Sequence, residues 1–252
     1  MTVKTANDIR EMEKTCRLAA ETLAYAKKHV KAGITTNELD KIVHDFILSH
    51  DAVPSPLNYH GYPKSICTSL NEVVCHGVPD NTVLREGDII NVDVTVYKHG
   101  FHGDTSATIF VGEVSERAKK ITDAAFNAMH KGIDQVRPGG MTEDIGFAIN
   151  KYATSKGFHV VKQIGGHGIG RAFHEEPFVP SFGKKGRGKP LKMWGTITVE
   201  PMINETSAEI IEMPIPGSTH HWYKTGDGTL SAQFEHTVLI TDTGHQILTL
   251  LD

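Results

Sequence analysis

Two parts of the sequence repeat one pattern at a constant separation of 106 positions, the distance from Gly33 to Gly139 (139 minus 33). In each part, at 19–39 and again at 125–145, a helix-like segment breaks at that glycine. It then restarts at a threonine followed by acidic residues, as an N-capped helix does. Any two amphipathic helix pairs look alike to some degree. An offset that holds through helices and strands nevertheless favours a duplicated architecture.

Each helix pair is followed by a strand that starts at a glycine and runs to a carboxylate, namely 87–93 ending at Asp93 and 195–200 ending at Glu200. Side chains alternate between the faces of a strand, so each strand brings its acid to one face. This predicts an α+β domain with pseudo-repeats at about 15–110 and 120–240 and a site between the halves. A single catalytic domain over residues 1–252 is expected for a chain of this length.

Composition excludes several classes of protein. With 39% hydrophobic and 22% charged residues the chain is of ordinary globular type, and its net charge of −4 gives no basic field for nucleic acid or an anionic membrane. The three cysteines are too few and too irregularly spaced for a disulfide framework, and they fit a reducing compartment. No signal peptide and no membrane-spanning apolar run is found, so a soluble cytoplasmic protein is expected.

Asp93 and Asp104 lie in two β-rich runs separated by a Lys-His-Gly turn at 98–100. Alternation places Asp93 and Thr95 on one face, and a hairpin would bring the two carboxylates opposite each other. Such a pair costs free energy unless a proton or a cation separates the charges. Two exposed turn aspartates are the ordinary alternative, but the β-branched neighbours of Asp93 favour burial.

Two further acids and one histidine occupy unusual settings. Glu200 ends an apolar strand before a proline, where a solvated acid is not expected. Glu235 precedes a strongly apolar strand, although a strand-start residue facing water would look the same. His167 stands among four glycines at 165–170, which is typical of close backbone approach and does not match a dinucleotide-binding fingerprint.

Four carboxylates and one imidazole form an oxygen-rich ligand set that suits paired Mn²⁺, Fe²⁺, Co²⁺ or Zn²⁺ ions. Two divalent ions would nearly neutralise the four acids and favour hydrolytic chemistry. His76 and His174 also lie in Gly- or Pro-containing segments, and spacing alone does not decide between site residues and ordinary loop histidines.

Two segments are predicted as loops. The first, 183–190, is basic and glycine-rich, but its spacing matches no phosphate-binding loop. The second, 213–228, contains two prolines and three glycines.

Five motifs occur in one order: Val-Asp-Val, Gly-Asp-Thr, Gly-Gly-His-Gly-Ile-Gly, Thr-Val-Glu-Pro-Met and Phe-Glu-His-Thr. Together they resemble the type I methionine aminopeptidases over about residues 6–251. The resemblance implies the pita-bread fold, in which pseudo-twofold duplicated halves form a central curved antiparallel sheet covered by helices. It also implies a hydrolase that removes the initiator methionine from nascent proteins with a small second residue, by attack of a hydroxide activated by two metal ions.

The resemblance further implies roles for single residues. One metal ion would be bound by Asp93, Asp104 and Glu235, and the other by Asp104, His167, Glu200 and Glu235, so that Asp104 and Glu235 bridge. Catalytic roles fall on His76, which assists the tetrahedral intermediate, on His174, which bonds the scissile carbonyl, and on Glu200, which relays the proton.

The methionine pocket implied by the resemblance is apolar and aromatic, and its positions are Tyr59, Tyr62, Cys67, Phe173 and Trp222. Simple core packing would explain each of these residues as well. Two departures from the family concern the same region: Pro56 replaces a frequent cysteine, and the segment 204–222 is longer than usual.

The family also implies partners and excludes relatives. Nascent N-termini, met at the ribosome by a monomeric enzyme, are the expected partners. A proline-directed peptidase of the same fold is disfavoured, because it would usually carry another N-terminal domain and lack a segment like Cys-His-Gly-Val-Pro at 75–79. A non-catalytic protein that binds a peptide or the ribosome is disfavoured because all five ligand positions are present. The spacing from His167 to Glu200 and the start of the sequence fit type I without an accessory domain.

Overall fold

The computed structural model describes residues 4–251. Its four α-helices come in two pairs: α1 (Ala6–Lys27) with α2 (Thr36–Ser49), and α3 (Glu116–Ile133) with α4 (Thr142–Ser155). The strands are β1 (Val53–Pro54), β2 (Cys67–Leu70), β3 (Val73–Cys75), β4 (Ile89–Lys98), β5 (Phe101–Phe110), β6 (His159–Val160), β7 (Gly166–Gly168), β8 (Glu175–Val179), β9 (Thr196–Val199), β10 (Met202–Asn204), β11 (Ile210–Pro214), β12 (His221–Thr225), β13 (Ser231–Ile240) and β14 (His245–Ile247).

The two helix pairs correspond position by position. Adding 106 to the bounds of α2 gives those of α4, and the same shift carries the end of α1 onto the end of α3. The breaking glycines, Gly33 and Gly139, both have positive φ, at 93° and 76°. The second helices begin differently, because Thr35 caps α2 with its hydroxyl whereas Met141 stands at the equivalent place before α4.

The main sheet has the order β1-β4-β5-β13-β9-β7-β8, and its pairings are antiparallel. The strand pair β4–β5 comes from the first half of the chain, while β13 and β9 come from the second half. The two halves meet where β5 pairs with β13. A smaller sheet has the order β11-β12-β3.

Each helix pair covers its own half of one sheet face. Alternate residues of β4, from Ile90 to Val96, pack against α1 and α2, and residues of β9 and β13 pack against α3 and α4. The intervening residues of these strands point to the opposite face, which leaves Asp93 and its neighbours away from the apolar core. This arrangement confirms the predicted α+β class. Within residues 4–251, no helix is long and apolar enough to cross a membrane.

The predicted strands are confirmed with shifted ends. Asp93 lies in the middle of the ten-residue strand β4, and Glu200 lies one residue beyond β9. The prediction that 213–228 is a loop is wrong in part, because β12 runs through it and pairs with both β11 and β3. Prolines and glycines flank that strand without interrupting it, so local composition alone was misleading. Residues 1–3 and 252 of the predicted domain lie outside the described residues.

Candidate metal centre

Two rows of side chains cross the sheet on the face away from the helices. In the first row, Asp93 is paired with Ser106, and Ser106 is paired with Glu235. In the second row, Asp104 is paired with Thr95 of the neighbouring strand. Because residues two apart on a strand share a face, these rows place acids from β4, β5 and β13 side by side.

The predicted hairpin is confirmed, but its register differs from the expectation. Asp93 and Asp104 are diagonal neighbours and are not directly opposite, since each is paired with a hydroxyl residue of the other strand. The turn at His99 and Gly100, where both residues have positive φ, sets this register. Thr95 Oγ1 therefore lies 2.7 Å from Asp104 Oδ1 and donates a hydrogen bond to it.

His167 reaches the acids from the short strand β7. Its Nδ1 lies 2.9 Å from the carbonyl oxygen of Gly168, so the ring N–H donates there and Nε2 is left as a lone-pair donor. Nε2 lies 3.9 Å from Asp104 Oδ2 and 3.6 Å from Glu200 Oε1. A Cβ on the neighbouring Gly166 would lie 2.3 Å from the carbonyl oxygen of Thr198, so the predicted close approach is to β9.

The five predicted ligands converge on one cavity of about 280 Å³. Ligand atoms of Asp104, His167 and Glu235 all lie within 4.8 Å of one another, as a shared ion requires. Asp93 and Glu200 line the same cavity. Side chains from the strands β4, β5, β7 and β13, and from the residue that follows β9, are thereby brought within reach of each other.

Burial makes this cluster of acids costly without a counter-charge. Removal from water raises the pKa of Asp93 to about 7 and that of Glu200 to about 8. Burial and then the repulsion between neighbouring carboxylates raise the pKa of Asp104 and of Glu235 well above the usual range. Among the described residues, no group hydrogen-bonds the buried Oε1 of Glu235. An orphaned carboxylate oxygen beside a histidine lone pair fits a bound cation, so the residues present suit divalent metal ions.

Three neutral side chains that sequence reasoning did not assign hold the acids in place. Besides Thr95, Thr198 Oγ1 donates to Glu200 Oε1 at 2.7 Å, and Gln233 Nε2 donates to Glu200 Oε2 at 3.4 Å. The signal was present in the sequence, since each lies two residues from an acid and so on its face.

His76 and His174 both line the same cavity as the acids. His76 Nδ1 lies 3.2 Å from the carbonyl oxygen of His221, and His174 Nδ1 lies 2.9 Å from the hydroxyl of Tyr59. Burial lowers the pKa of His76 to about 4 and the pKa of His174 to about 2, so both rings are neutral. The His174 ring lies 4.3 Å from that of His167.

Four of the five predicted pocket residues line the cavity: Tyr59, Tyr62, Cys67 and Phe173. Cys67 is the strand partner of Asp93, so this part of the cavity adjoins the acids directly. Pro56 is also part of the wall.

Trp222 does not line this cavity and instead packs behind it, against the cluster of Tyr62, Cys67 and Ile215. His220, which sequence reasoning missed, lines the cavity. His220 lines the cavity in place of Trp222 because 221–225 is a strand, and the pairing of that strand sets which residue reaches the cavity. Ile164 and Phe178 also line the cavity, and no sequence pattern marked them, whereas Gly165 is one of the glycines predicted to make a close approach near His167.

Comparison with known proteins agrees with this geometry. Residues 10–242 match the model of metallopeptidase family M24. The chain is 48% identical to the methionine aminopeptidase of Rickettsia prowazekii, over 99% of this chain and 96% of the relative. It is 46% identical to that of Escherichia coli K12, over 99% and 94%. The crystal structure of the Rickettsia prowazekii enzyme superposes with a TM-score of 0.96, covering 99% of this chain and 100% of that one.

Proposed function

The chain belongs to metallopeptidase family M24, has the pita-bread fold and is 46–48% identical to methionine aminopeptidases over nearly its whole length, so it is a metallo-aminopeptidase that removes N-terminal methionine, and we propose how its residues do so. In this proposal, Asp93, Asp104, His167, Glu200 and Glu235 hold two divalent ions. The observation that carries it is the convergence of four acids of raised pKa on the free Nε2 of one histidine. Such a cluster is stable at neutral pH when cations replace the protons.

The proposed ligand sets overlap. Asp93, Asp104 and Glu235 would hold one ion, while Asp104, His167, Glu200 and Glu235 would hold the other. Cobalt, manganese, iron or zinc fits this oxygen-rich set with one imidazole. When bound, two such ions lower the pKa of a coordinated water and polarise a carbonyl group.

The remaining polar groups handle protons and orient the peptide. We propose that Glu200 accepts a proton at a carboxylate oxygen and passes it to the leaving amine. Thr198 and Gln233 fix the carboxylate plane of Glu200 for that transfer.

His76 and His174 each use Nδ1 for a protein contact, so Nε2 of each ring is left for the peptide. Their lowered pKa keeps both rings neutral. The Tyr59 hydroxyl can donate to His174 Nδ1, which leaves Nε2–H of His174 to donate to the scissile carbonyl. His76 Nδ1–H donates to the carbonyl oxygen of His221, so its Nε2 is a lone-pair acceptor for an N–H of the peptide in the tetrahedral intermediate.

The deep part of the cavity would receive the methionine side chain. Tyr62 is 3% exposed and Cys67 is 8% exposed, and with Tyr59 and Phe173 they offer aromatic and sulfur surface to a thioether. Trp222 contributes behind this wall, through its packing against the Tyr62–Cys67 cluster.

We propose residues 1–252 as one catalytic domain of two pseudo-repeats, at about 15–110 and 120–240. Its partners would be N-termini of nascent chains, met in the cytoplasm at the ribosome by a monomer that binds neither nucleic acid nor a membrane directly. The matched positions of α2 and α4 support the two pseudo-repeats, and the net charge of −4 supports the absence of direct binding to nucleic acid or an anionic membrane.

A peptide-library assay tests the reaction, the specificity and the metal together. Tripeptides that vary in the first two residues are incubated with protein reconstituted with Mn²⁺, Fe²⁺ or Co²⁺. Release of methionine from Met-Ala-Ser is expected, with poor cleavage when the second residue is large. Preferential hydrolysis of a Gly-Pro substrate would favour a proline-directed peptidase. A protein that is purified without metal and stays inactive with every ion would favour a non-catalytic binding role.

A further inference from the structure

The hairpin β11–β12 brings its tip, residues 215–220, against the loop 58–62 at the cavity. The carbonyl oxygen of His60 accepts hydrogen bonds from Ser218 Oγ at 2.8 Å and from the Thr219 amide at 3.0 Å. A Cβ on Gly61 would lie 2.6 Å from the carbonyl oxygen of Gly217, so the two backbones are in direct contact. The tip and the loop therefore form one continuous wall.

His220 is the residue of the hairpin tip that lines the cavity. Its ring centroid lies 5.1 Å from that of His60, 5.4 Å from Tyr59 and 6.0 Å from His76. The His220 amide donates to Ser218 Oγ at 2.9 Å, and the same hydroxyl donates to the carbonyl oxygen of His60 in the loop. A ring fixed by aromatic neighbours and by its own backbone cannot retreat without breaking those contacts.

The exposure of the lining residues distinguishes the inner end of the cavity from its mouth. Tyr62, Cys67 and Glu235 are buried at its inner end. Tyr59 and His220 are half-buried lining residues, so they mark the mouth. A peptide that places its first side chain at the inner end must leave through the mouth, and its second residue passes His220.

We propose that His220 is a specificity-determining residue that contacts the second residue of the substrate and limits its size. This inference rests on the proposed function. The His220 imidazole and the Tyr59 ring both line the part of the cavity where a second side chain would lie, and a β-branched or longer side chain there meets the His220 ring. The segment 204–222, which contains the tip of the hairpin β11–β12, supplies this residue.

The test is a ratio of kcat/KM values for two peptides, Met-Val-Ser and Met-Ala-Ser, measured on the metal-loaded protein. His220→Ala removes the ring, so the ratio of the valine to the alanine peptide is expected to rise by about tenfold or more, the scale of a few methylene groups in a confined site. His220→Trp enlarges the ring and is expected to lower the same ratio. Ile211→Ala is the matched control, since Ile211 lies on the same hairpin, is 42% exposed and does not line the cavity.

The ratio is insensitive to a general loss of activity, which would scale both peptides equally. If the wild-type protein releases methionine but the ratio is unchanged in both His220 variants, the inference is overturned and the proposed function stands. A wild type that releases methionine from neither peptide would instead contradict the proposed function. A shift in the Ile211→Ala control equal to that of His220→Ala would assign the effect to the hairpin as a whole and reject the role of His220.

Discussion

The two halves of the molecule each supply two of the proposed carboxylate ligands from an antiparallel strand pair, but they differ in what they add to the cavity. Asp93 and Asp104 come from the antiparallel pair β4–β5, and Glu200 and Glu235 come from the end of β9 and from its antiparallel partner β13. β4 and β5 follow each other through a tight turn, whereas the segment 200–230 separates β9 from β13. That segment includes the hairpin β11–β12, which pairs with β3 of the first half.

This difference separates two properties of the site. The repeated part of the fold builds the acidic cluster, and the inserted hairpin builds one wall of the cavity. Substitutions of acids in the repeated strands should therefore weaken metal binding and lower the activity on all substrates by the same factor. Changes at the hairpin tip should alter the choice among substrates.

The largest effect is expected for Asp104→Asn, which removes a proposed bridging carboxylate from β5. Activity should fall by about 1,000-fold or more, beyond the roughly 10- to 100-fold typical of a group that only supports a ligand. The loss should be equal for Met-Gly, Met-Ala and Met-Val peptides, as measured by kcat/KM, with metal affinity followed by calorimetry. Asp45→Asn, on the exposed face of α2, is the control. Full activity in Asp104→Asn would contradict the proposed ligand set.

A second prediction compares equivalent hydroxyls in the two halves. Thr95 and Thr198 each donate to an acid at 2.7 Å, so Thr95→Val and Thr198→Val should each lower metal affinity by about 10- to 100-fold. Calorimetric titration of the metal-free protein measures both, with the exposed Thr154→Val of α4 as control. If only one variant loses affinity, the two halves do not support their acids in the same way.

A third prediction concerns the pH dependence of the metal-free protein. The folded-state pKa of Asp93 and of Glu200 is raised, to about 7 and about 8, so the stability linked to these protons is lost as pH rises through those values. Buried histidines such as His76 have a lowered pKa and act in the opposite direction, but only below their unfolded value of 6.5. Between pH 6.5 and 8 the acids alone decide the sign.

Thermal unfolding of the chelator-treated protein should therefore give a lower midpoint at pH 8 than at pH 6.5, and the free energy of unfolding should fall by about 1 kcal/mol for each acid. Saturating Mn²⁺ should remove this dependence, because bound cations replace the protons. A metal-free protein that is more stable at pH 8 would show that these acids ionise without cost.

The smallest effect is expected at the starts of the two equivalent helices. The Thr35 hydroxyl caps α2 by accepting the Glu38 amide at 3.1 Å, so Thr35→Ala should lower the free energy of unfolding by about 1 kcal/mol. Met141→Thr places the same cap before α4 and should raise it by up to about 1 kcal/mol. Urea denaturation of the metal-loaded protein measures both. Destabilisation by Met141→Thr would mean that the two helix starts are not interchangeable.

Much of the fold and of the site could be predicted from local patterns. Helix breaks at Gly33 and Gly139, strand alternation through Asp93, and the glycines around His167 are all readable along the chain, because each reflects the geometry of a few consecutive residues. The same alternation marks Thr95, Thr198 and Gln233 as neighbours of the acids, although it gives them no role.

Other features depend on contacts between distant residues. The diagonal register of Asp93 and Asp104, the position of His220 and the exclusion of Trp222 from the cavity follow from strand pairings that local composition did not reveal. Prolines and glycines in 213–228 are typical of a loop, yet pairing with β3 makes β12 a strand.

The sequence by itself determined the two similar helix–strand units, the acids that they carry and the histidine set among glycines. The tertiary structure decided how the units meet, because β5 and β13, more than 100 residues apart, pair so that Ser106 faces Glu235. It also decided which ring stands at the cavity mouth. Local periodicity selects the face on which a side chain lies, while the neighbour that it meets there is set by long-range pairing and close packing.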